Sequence, residues 1–386
     1  MTVKLVVPLG VAQTLAWGST YYLPAIVAEP MARDLGVSSP WIFGALSIAL
    51  LAAAVLGPVA GRAIDATGGR IVLTASNLLF AVGLALLGFA DSLPIVYGAW
   101  IVIGAGMAMG LYEAAFSTLA AQLGASARSS ITGITLIAGF ASTVCWPISA
   151  FLEVELGWRA TCFAWAAAHV LLGWPLNRFS IPGQRAQAPQ HAAERPAPAQ
   201  RDARMLLLAF VFAATWFIST SLAAHLPRLL QMAGLSLAAA VVIAGLVGPA
   251  QVGARVIEFA LLRRHHPLVS ARLAALAHPF GAAALLLLGS PAAAVFALLH
   301  GAGNGIMTIA SGTLPLALFG ASGYGFRQGL MMVPARFCQA LAPLAFAFLL
   351  ERYAERALVV TAGIGCLGFV ALLALRRESA SPPRRA

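Results

Sequence analysis

The chain consists almost entirely of apolar stretches long enough to cross a lipid bilayer, joined by short polar segments. About 18 or more consecutive apolar residues are typical of a transmembrane helix. Hydrophobic residues make up 60% of the 386 residues and charged residues only 10%, whereas a soluble domain carries about 25% charged residues. A soluble fold would expose large apolar patches, so the sequence predicts a polytopic membrane protein.

The spacing of these stretches predicts an all-α membrane protein with twelve transmembrane helices in two pseudo-symmetric six-helix bundles. A polar, proline-rich segment divides them, and this composition is typical of a flexible linker. The expected helices span residues 4-30, 40-62, 70-90, 94-122, 129-153, 159-178, 204-230, 237-262, 268-289, 292-319, 328-351 and 356-376. The expected organisation is an N-terminal bundle, a linker, a C-terminal bundle and a tail, at residues 1-179, 180-203, 204-376 and 377-386.

Basic residues are unevenly distributed between the two sides of the predicted helices. If the N-terminus is inside, the outer segments hold only Arg33, Arg159, Arg228, Arg352 and Arg356. The positive-inside rule then places both termini and the linker in the cytoplasm, and we expect a multi-pass protein of the cytoplasmic (inner) membrane. The net charge of +11 could also indicate nucleic-acid binding. Because the basic residues lie in loops and tails, we expect the lipid bilayer as partner and no nucleic acid.

Several other function classes lack their sequence signals. The four cysteines, Cys145, Cys162, Cys338 and Cys366, lie in apolar segments without a C-x-x-C pair. No H-x-x-H or H-E-x-x-H spacing occurs, and no Walker-type phosphate loop is present. We therefore expect no metal site, no cofactor, no ATP-driven step and no enzymatic activity, and we expect the protein to be a monomer.

The segment between the second and third helices carries a specific motif. Gly61, Asp65, Gly68, Gly69 and Arg70 form the pattern G-x-x-x-D-x-x-G-G-R. This pattern resembles the cytoplasmic loop signature of the major facilitator superfamily of secondary transporters. The resemblance implies the major facilitator fold and a gate, in which Asp65 interacts with a neighbouring helix N-terminus and locks the two halves in the outward-facing state. The alternative is a simple polar turn.

A second segment repeats part of this motif. Arg62-Ala63-Ile64-Asp65 follows a Gly-Pro pair in helix 2, and Arg255-Val256-Ile257-Glu258 follows a Gly-Pro pair in helix 8. Such a parallel repeat is the arrangement of the major facilitator fold, which the resemblance implies, although chance similarity is an alternative. On this basis the predicted cytoplasmic gate consists of Gly61, Asp65, Gly69, Arg70 and Glu258.

Three ionisable residues lie well inside predicted spans, where charge is costly and is a functional hypothesis by default. Arg255 lies in helix 8 and could pair with Glu258, three residues on. Arg336 in helix 11 needs a partner from another helix, a water-filled cavity or a substrate. Glu113 in helix 4 could pair with either arginine, or carry a proton, because burial favours the neutral acid.

Helix 8 carries a further resemblance. Gln251-Val252-Gly253-Ala254-Arg255 is similar to the D-x-x-A-R stretch of the monocarboxylate porter branch, in which the arginine binds the substrate carboxylate. Gln251 replaces the acid of that stretch. The helix 5 segment from Gly139 to Pro147 does not match the signature of proton antiporters.

These patterns predict a secondary active transporter that moves a small organic anion, a carboxylate above all, by alternating access with proton coupling. Glu113 is the candidate for proton coupling. The candidate substrate-binding residues are Arg255, Arg336, Tyr21, Gln13, Asn304 and His225. Two alternatives remain open: a proton-antiport exporter of drugs or amphipathic metabolites, favoured by an aromatic cavity without a central arginine, and a non-transporting membrane receptor.

Overall fold

The computed structural model describes residues 2–183 and 203–375, and this part of the chain is helical with short connections. Most of the predicted linker, residues 184–202, lies outside the described residues, as does the predicted tail 377-386. The first half contains nine helices: α1 Thr2–Ser19, α2 Pro24–Asp34, α3 Ser39–Thr67, α4 Arg70–Gly88, α5 Leu93–Gly110, α6 Tyr112–Leu123, α7 Ala127–Ala138, α8 Ala141–Ala168 and α9 Trp174–Ser180.

The second half contains seven further helices within the described residues. They are α10 Ala203–Met232, α11 Leu237–Ala244, α12 Val247–Ala260, α13 Pro267–Leu288, α14 Ala293–Phe319, α15 Tyr324–Tyr353 and α16 Ala357–Ala374. In the part of the chain that the structure describes, eight helical stretches are long and apolar enough to cross a membrane. Some of these stretches contain more than one pass, and the helices of the described residues form twelve passes in two six-helix bundles.

Four of the predicted continuous helices are interrupted, which corrects the sequence prediction for 4-30, 94-122, 129-153 and 237-262. The first breaks between α1 and α2, and the next at Leu111, whose backbone is extended (ψ −170°). The others break next to Gly139 and Gly245, since glycine weakens a helix interior. The fifth and sixth passes, by contrast, are joined in α8 through a turn at Gly157, which has a φ of 82°.

Each half has its own apolar core. Phe80, Trp100 and Phe116 are among the largest buried side chains of the first half, and Phe212 and Phe296 among those of the second. Many other large apolar side chains are exposed on the outer surface of the bundle. A bilayer would cover this surface, as expected for a multi-pass membrane protein.

The two halves meet most closely where α3 packs against α15. A Cβ atom added to Gly329 would lie 2.6 Å from the carbonyl oxygen of Gly57, and Gly61 meets Gly325 in the same way. Only glycine allows two helix backbones to approach this closely. The halves are thus closed together at the end of the bundle that contains Asp65, which we call the Asp65 face.

Candidate substrate cavity and interdomain gate

A cavity of about 420 Å³ lies between the two halves. It shares Ser142, Thr143 and Trp146 with an open groove of about 560 Å³ that extends past Ala25 and Ala150, away from the Asp65 face. The cavity therefore communicates with the opposite face of the bundle while the Asp65 face is closed. We call it the central cavity, and its volume falls in the range of about 300 to 1,000 Å³ that is typical of small-molecule sites.

Aromatic side chains form much of the wall of the central cavity. Trp17 packs against Tyr21 and Tyr112, with ring centroids 5.4 Å and 5.0 Å apart. Tyr22 packs against Trp146 at 5.7 Å. Of this group, the sequence analysis predicted only Tyr21 as a substrate-binding residue. The closely spaced aromatic residues Trp17, Tyr21 and Tyr22 could have indicated an aromatic wall. The full aromatic lining, including the second half, is Trp17, Tyr21, Tyr22, Tyr112, Trp146 and Trp216.

Arg255 of α12 lines the same cavity and is only 5% exposed. Its Nε donates to the carbonyl oxygen of Gly305 at 3.3 Å, and its Nη1 donates to that of Thr135, in the other half, at 3.1 Å. A guanidinium has five N–H donors, so three remain for another ligand. Within the described residues no carboxylate pairs with Arg255, so the alternative of an ion pair with Glu258 is not the one observed.

Arg336 of α15 is buried and pairs with Glu113 of α6. Its Nη2 lies 2.9 Å from each carboxylate oxygen of Glu113, which joins the second half to the first. This is one of the alternatives that the sequence left open for both residues. Arg336 does not line the central cavity but a smaller cavity beside α3, so its role as a substrate ligand stays a prediction.

A chain of hydrogen bonds connects this ion pair to the central cavity. Nη1 of Arg336 donates to Oε1 of Gln339 at 2.8 Å, and Nε2 of Gln339 donates to the hydroxyl oxygen of Tyr21 at 3.2 Å. Tyr21 belongs to the first half and lines the cavity. A ligand that contacts Tyr21 would therefore act on the same network as the Glu113–Arg336 pair.

Asp65, a predicted gate residue, joins the two halves at the Asp65 face. Its Oδ1 accepts from the backbone N–H of Gly325 and its Oδ2 from that of Phe326, both at 2.8 Å. These N–H groups belong to the first turn of α15, where a carboxylate is favoured by the helix dipole. Arg62 lies over the Phe326 ring, 4.5 Å from its centroid.

Gly69 and Arg70, the two other motif residues of the predicted gate, shape the loop itself. Gly69 has a φ of 89°, and a Cβ atom there would collide with the side chain of Thr118. The guanidinium of Arg70 lies near Gly183, in the segment that follows α9, and not against α15. Gly69 and Arg70 therefore contact their own half, whereas Gly61 and Asp65 contact the other half.

Glu258 forms the second contact between the halves at this face. Its Oε1 lies 3.5 Å from Nη2 of Arg128, which is the second residue of α7. Glu258 is only 1% exposed. Arg128 also donates to the carbonyl oxygen of His265 at 2.6 Å. Arg128 was not selected from the sequence as part of the gate. The repeated R-x-I-acid motif pointed to Glu258 but not to its partner in the other half.

The other predicted substrate residues are distributed differently. Asn304 lines the central cavity. Nε2 of Gln13 donates to the carbonyl oxygen of Gly110 at 2.6 Å. The helix breaks at Leu111, so this carbonyl group lacks its helical partner and Gln13 supports the fold. His225 is hydrogen-bonded to the carbonyl oxygen of Pro343 at 2.8 Å and does not line the cavity. Among the described residues no group of three or more potential metal ligands occurs.

Comparison with known sequences gives a family. Residues 9–298 match the family described as the Major Facilitator Superfamily. The purine ribonucleoside efflux pump NepI of Escherichia coli O157:H7 is 27% identical over 178 residues, which cover 44% of this chain and 43% of that pump. The pump of the same name from Shigella dysenteriae serotype 1 (strain Sd197) is 26% identical over 178 residues, with 44% of each chain covered. The match thus spans less than half the length of these relatives.

Solved structures resemble the whole fold at low sequence identity. The human organic anion transporter MFSD10 (TETRAN) superimposes with a TM-score of 0.75 at 15% identity, covering 96% of this chain and 99% of that one. The Escherichia coli fucose:proton symporter FucP superimposes with a TM-score of 0.73 at 14% identity, with 95% and 97% covered. These similarities confirm the predicted fold over nearly the whole chain.

Proposed function

The chain belongs to the Major Facilitator Superfamily, and from that premise we propose that it is a proton-coupled secondary transporter of small organic anions that carry an aromatic or other flat apolar group. The superfamily assignment makes it a membrane transporter and not an enzyme. We propose the substrate class, the coupling ion and the orientation of the protein in the membrane.

The proposal of an anionic substrate rests on Arg255, which is buried in the central cavity and has no carboxylate partner among the described residues. A buried guanidinium without a counter-charge is costly in a membrane protein, and a bound anion would supply that charge. Its planar donors suit a carboxylate, because two parallel N–H groups can bind both oxygens. Arg336, by contrast, is already compensated by Glu113.

The aromatic wall supports the second part of the proposal. Trp17, Tyr112 and Trp216 offer ring faces and edges around the cavity that contains Arg255. Aromatic pairs contribute about 0.5 to 1.5 kcal/mol beyond the burial of their area. An anion with an aromatic ring could thus place its charge on Arg255 and its ring among these side chains.

We propose that the Asp65 face is cytoplasmic, in accord with the arginine distribution, so that the described state is outward-facing in the inner membrane. Glu113 and Arg336 come from different halves and must separate if the Asp65 face opens. Protonation of Glu113 would remove one charge of this pair and lower the cost of separation. Substrate binding at Arg255 and Tyr21 would then be coupled to proton binding at Glu113.

A thermal-shift screen of the purified protein tests the substrate class, because a ligand that binds only the folded state raises the apparent melting temperature. The panel contains aromatic carboxylates, aliphatic carboxylates and uncharged aromatic compounds of matched size. We expect the largest upward shifts with aromatic carboxylates and none in Arg255→Gln. Arg272→Gln is the matched control, because among the described residues Arg272 donates to the carbonyl oxygens of Leu372 and Leu375 and does not line the central cavity. Equal shifts with the uncharged aromatic compounds would contradict an anionic substrate.

A second candidate function is proton-antiport export of planar uncharged metabolites such as purine ribonucleosides. The name of the curated relatives and the aromatic wall of the central cavity favour it. Arg255 would then bind a neutral acceptor on the base or ribose. Purine ribonucleosides in the same screen decide between the two functions, since stabilisation by them alone would replace the organic-anion proposal.

A further inference from the structure

Two carboxamide side chains, those of Gln251 and Asn304, line the central cavity together with Arg255. Gln251 lies four residues before Arg255 on α12, so both side chains are on the same face of the helix, about 6 Å apart along its axis. Asn304 lies on α14, which packs directly against α12. We call Gln251 and Asn304 the carboxamide pair, and the wall that contains Arg255 therefore also presents this pair to the cavity.

Close packing between α12 and α14 fixes this part of the wall. A Cβ atom added to Gly301 would lie 2.6 Å from the carbonyl oxygen of Val247, and one added to Gly305 would collide with the backbone of Gln251. Glycine at these two positions allows the helix backbones to touch. Because Gln251 contacts Gly305, the adjacent Asn304 lies at the same level of the wall, and the two carboxamide groups are neighbours.

The carboxamide pair has no hydrogen-bond partner for its side chains among the described residues. Both residues are half-buried and face the open volume of the cavity. Thr308, on the same wall, is different, because its hydroxyl group donates to the backbone carbonyl oxygen of Asn304 at 2.9 Å. Each carboxamide offers two N–H donors and one carbonyl acceptor, so the pair has its full hydrogen-bonding capacity free for water or a ligand.

Other carboxamides in the interior of the bundle support the fold. Nε2 of Gln328 donates to the carbonyl oxygen of Ser311 at 3.0 Å, and Nδ2 of Asn177 donates to that of Leu73 at 3.0 Å. Neither Gln328 nor Asn177 lines the central cavity. The carboxamide pair differs from them because it faces a cavity and not a backbone carbonyl group, so a contribution to folding does not account for its position.

We infer that the carboxamide pair determines the specificity of the substrate site, and that it selects anions with a second polar group across an aromatic ring from the carboxylate. This second group presents a donor and an acceptor side by side, as a primary carboxamide or the edge of a heterocycle does. A glutamine or asparagine side chain can bind such an edge with two hydrogen bonds. The inference rests on the proposed function for the anion at Arg255.

The cost of desolvation makes this selection strong. Without a ligand, water can bind the carboxamide pair, since the central cavity communicates with the open groove. An apolar substituent would displace this water and leave the carboxamides unpaired, whereas a matched polar group would replace the lost hydrogen bonds. A site that hydrogen-bonds its substrate therefore rejects an analogue without the polar group more strongly than an apolar pocket rejects a change of one methylene group.

Two probe ligands of the same shape test the inference: 4-carbamoylbenzoate, and 4-isopropenylbenzoate, in which carbon atoms replace the oxygen and nitrogen of the carboxamide. Isothermal titration measures the affinity of both for the wild-type protein, Gln251→Leu and Asn304→Leu. We expect a preference for 4-carbamoylbenzoate of about tenfold or more in the wild-type protein and about equal affinities in both variants. Gln231→Leu is the matched control, because Gln231 is exposed and does not line the central cavity. It should keep the wild-type preference.

The wild-type preference in both Gln251→Leu and Asn304→Leu would overturn the inference, and so would tighter binding of 4-isopropenylbenzoate by the wild-type protein. If one leucine variant does not fold, the other decides. Arg255→Gln separates these results from the proposed function, because it should weaken both probes by the same factor and leave the preference unchanged. Wild-type affinity for both probes in Arg255→Gln, with the preference intact, would contradict the anionic substrate and support the carboxamide pair.

Discussion

Asp65 and Glu258 occupy matching positions near the ends of α3 and α12, and each contacts the N-terminal turn of a helix in the opposite half. Asp65 accepts from the backbone N–H groups of Gly325 and Phe326 at 2.8 Å. Glu258 reaches Arg128 in the first turn of α7 at 3.5 Å. Two related but chemically different contacts thus join the halves at the Asp65 face, and we call them the first and the second clamp: the first is made by backbone N–H groups and the second by an ion pair.

Asp65→Asn should shift the protein toward states that are open at the Asp65 face. The amide keeps one acceptor oxygen but loses the charge, and hydrogen bonds to charged groups contribute about 1.5 to 3 kcal/mol. We expect at least a several-fold rise in the open population. Spin labels at the exposed positions Ala66 and Ser322, in a cysteine-free background, measure the distance between α3 and α15. Asp91→Asn, in an exposed loop, is the control, and identical distance distributions in all three proteins would rule out the clamp.

Arg128 and Glu258, which form the second clamp, should show energetic coupling across the interface between the halves. Glu258 is buried and Arg128 is partly exposed, so removal of Arg128 leaves a buried carboxylate unpaired, which is costly. We therefore expect Arg128→Gln to destabilise the closed Asp65 face more in the presence of Glu258 than in Glu258→Gln. A double-mutant cycle on the same label distances measures this coupling. Strictly additive effects would show that the 3.5 Å pair does not hold the halves together.

Gly329→Ala should also open the Asp65 face, for a steric reason. The new Cβ atom would lie 2.6 Å from the carbonyl oxygen of Gly57, so α3 and α15 would have to move apart. Gly363→Ala is the matched control, since a Cβ there meets nothing within 4 Å. The distance between α3 and α15 should be longer in Gly329→Ala than in the wild-type protein and unchanged in Gly363→Ala. A wild-type distance in Gly329→Ala would show that the close glycine contact does not maintain this state.

Glu113→Gln should abolish proton-driven accumulation and spare counterflow exchange. The amide cannot release or bind the coupling proton, but it still offers an oxygen to Arg336. Proteoliposomes loaded with an identified substrate measure both modes, with and without an imposed pH gradient. Glu153→Gln, an acid outside the bundle interior, serves as control. If Glu113→Gln accumulates substrate with normal pH dependence, Glu113 is a structural partner of Arg336 only.

The sequence predicted the fold and the first clamp because both depend on local signals. The lengths of the apolar stretches predicted the twelve transmembrane helices, and the loop motif predicted that Asp65 lies at the end of the second one. The repeated R-x-I-acid motif also pointed to Glu258. These features are visible along the chain without knowledge of which helices meet.

Other features of the site depend on contacts between distant helices. Arg128 is 130 residues from Glu258, and Glu113 is 223 residues from Arg336, so their pairing cannot be read from spacing. Gln13 resembled a substrate ligand because it is polar, but the break at Leu111 frees a carbonyl group that it binds. The aromatic wall was missed because an aromatic side chain in a membrane span is as compatible with lipid or core as with a cavity.

The proposed substrate site depends above all on Arg255, which we propose binds the anionic group of the substrate. Isothermal titration of the best ligand from the thermal-shift screen measures its affinity for wild-type protein, Arg255→Lys and Arg272→Lys. A lysine cannot reproduce two parallel hydrogen bonds to a carboxylate. We expect at least a tenfold loss of affinity, about 1.4 kcal/mol, in Arg255→Lys and wild-type affinity in Arg272→Lys. Wild-type affinity in Arg255→Lys, or an equal loss in both variants, would contradict it.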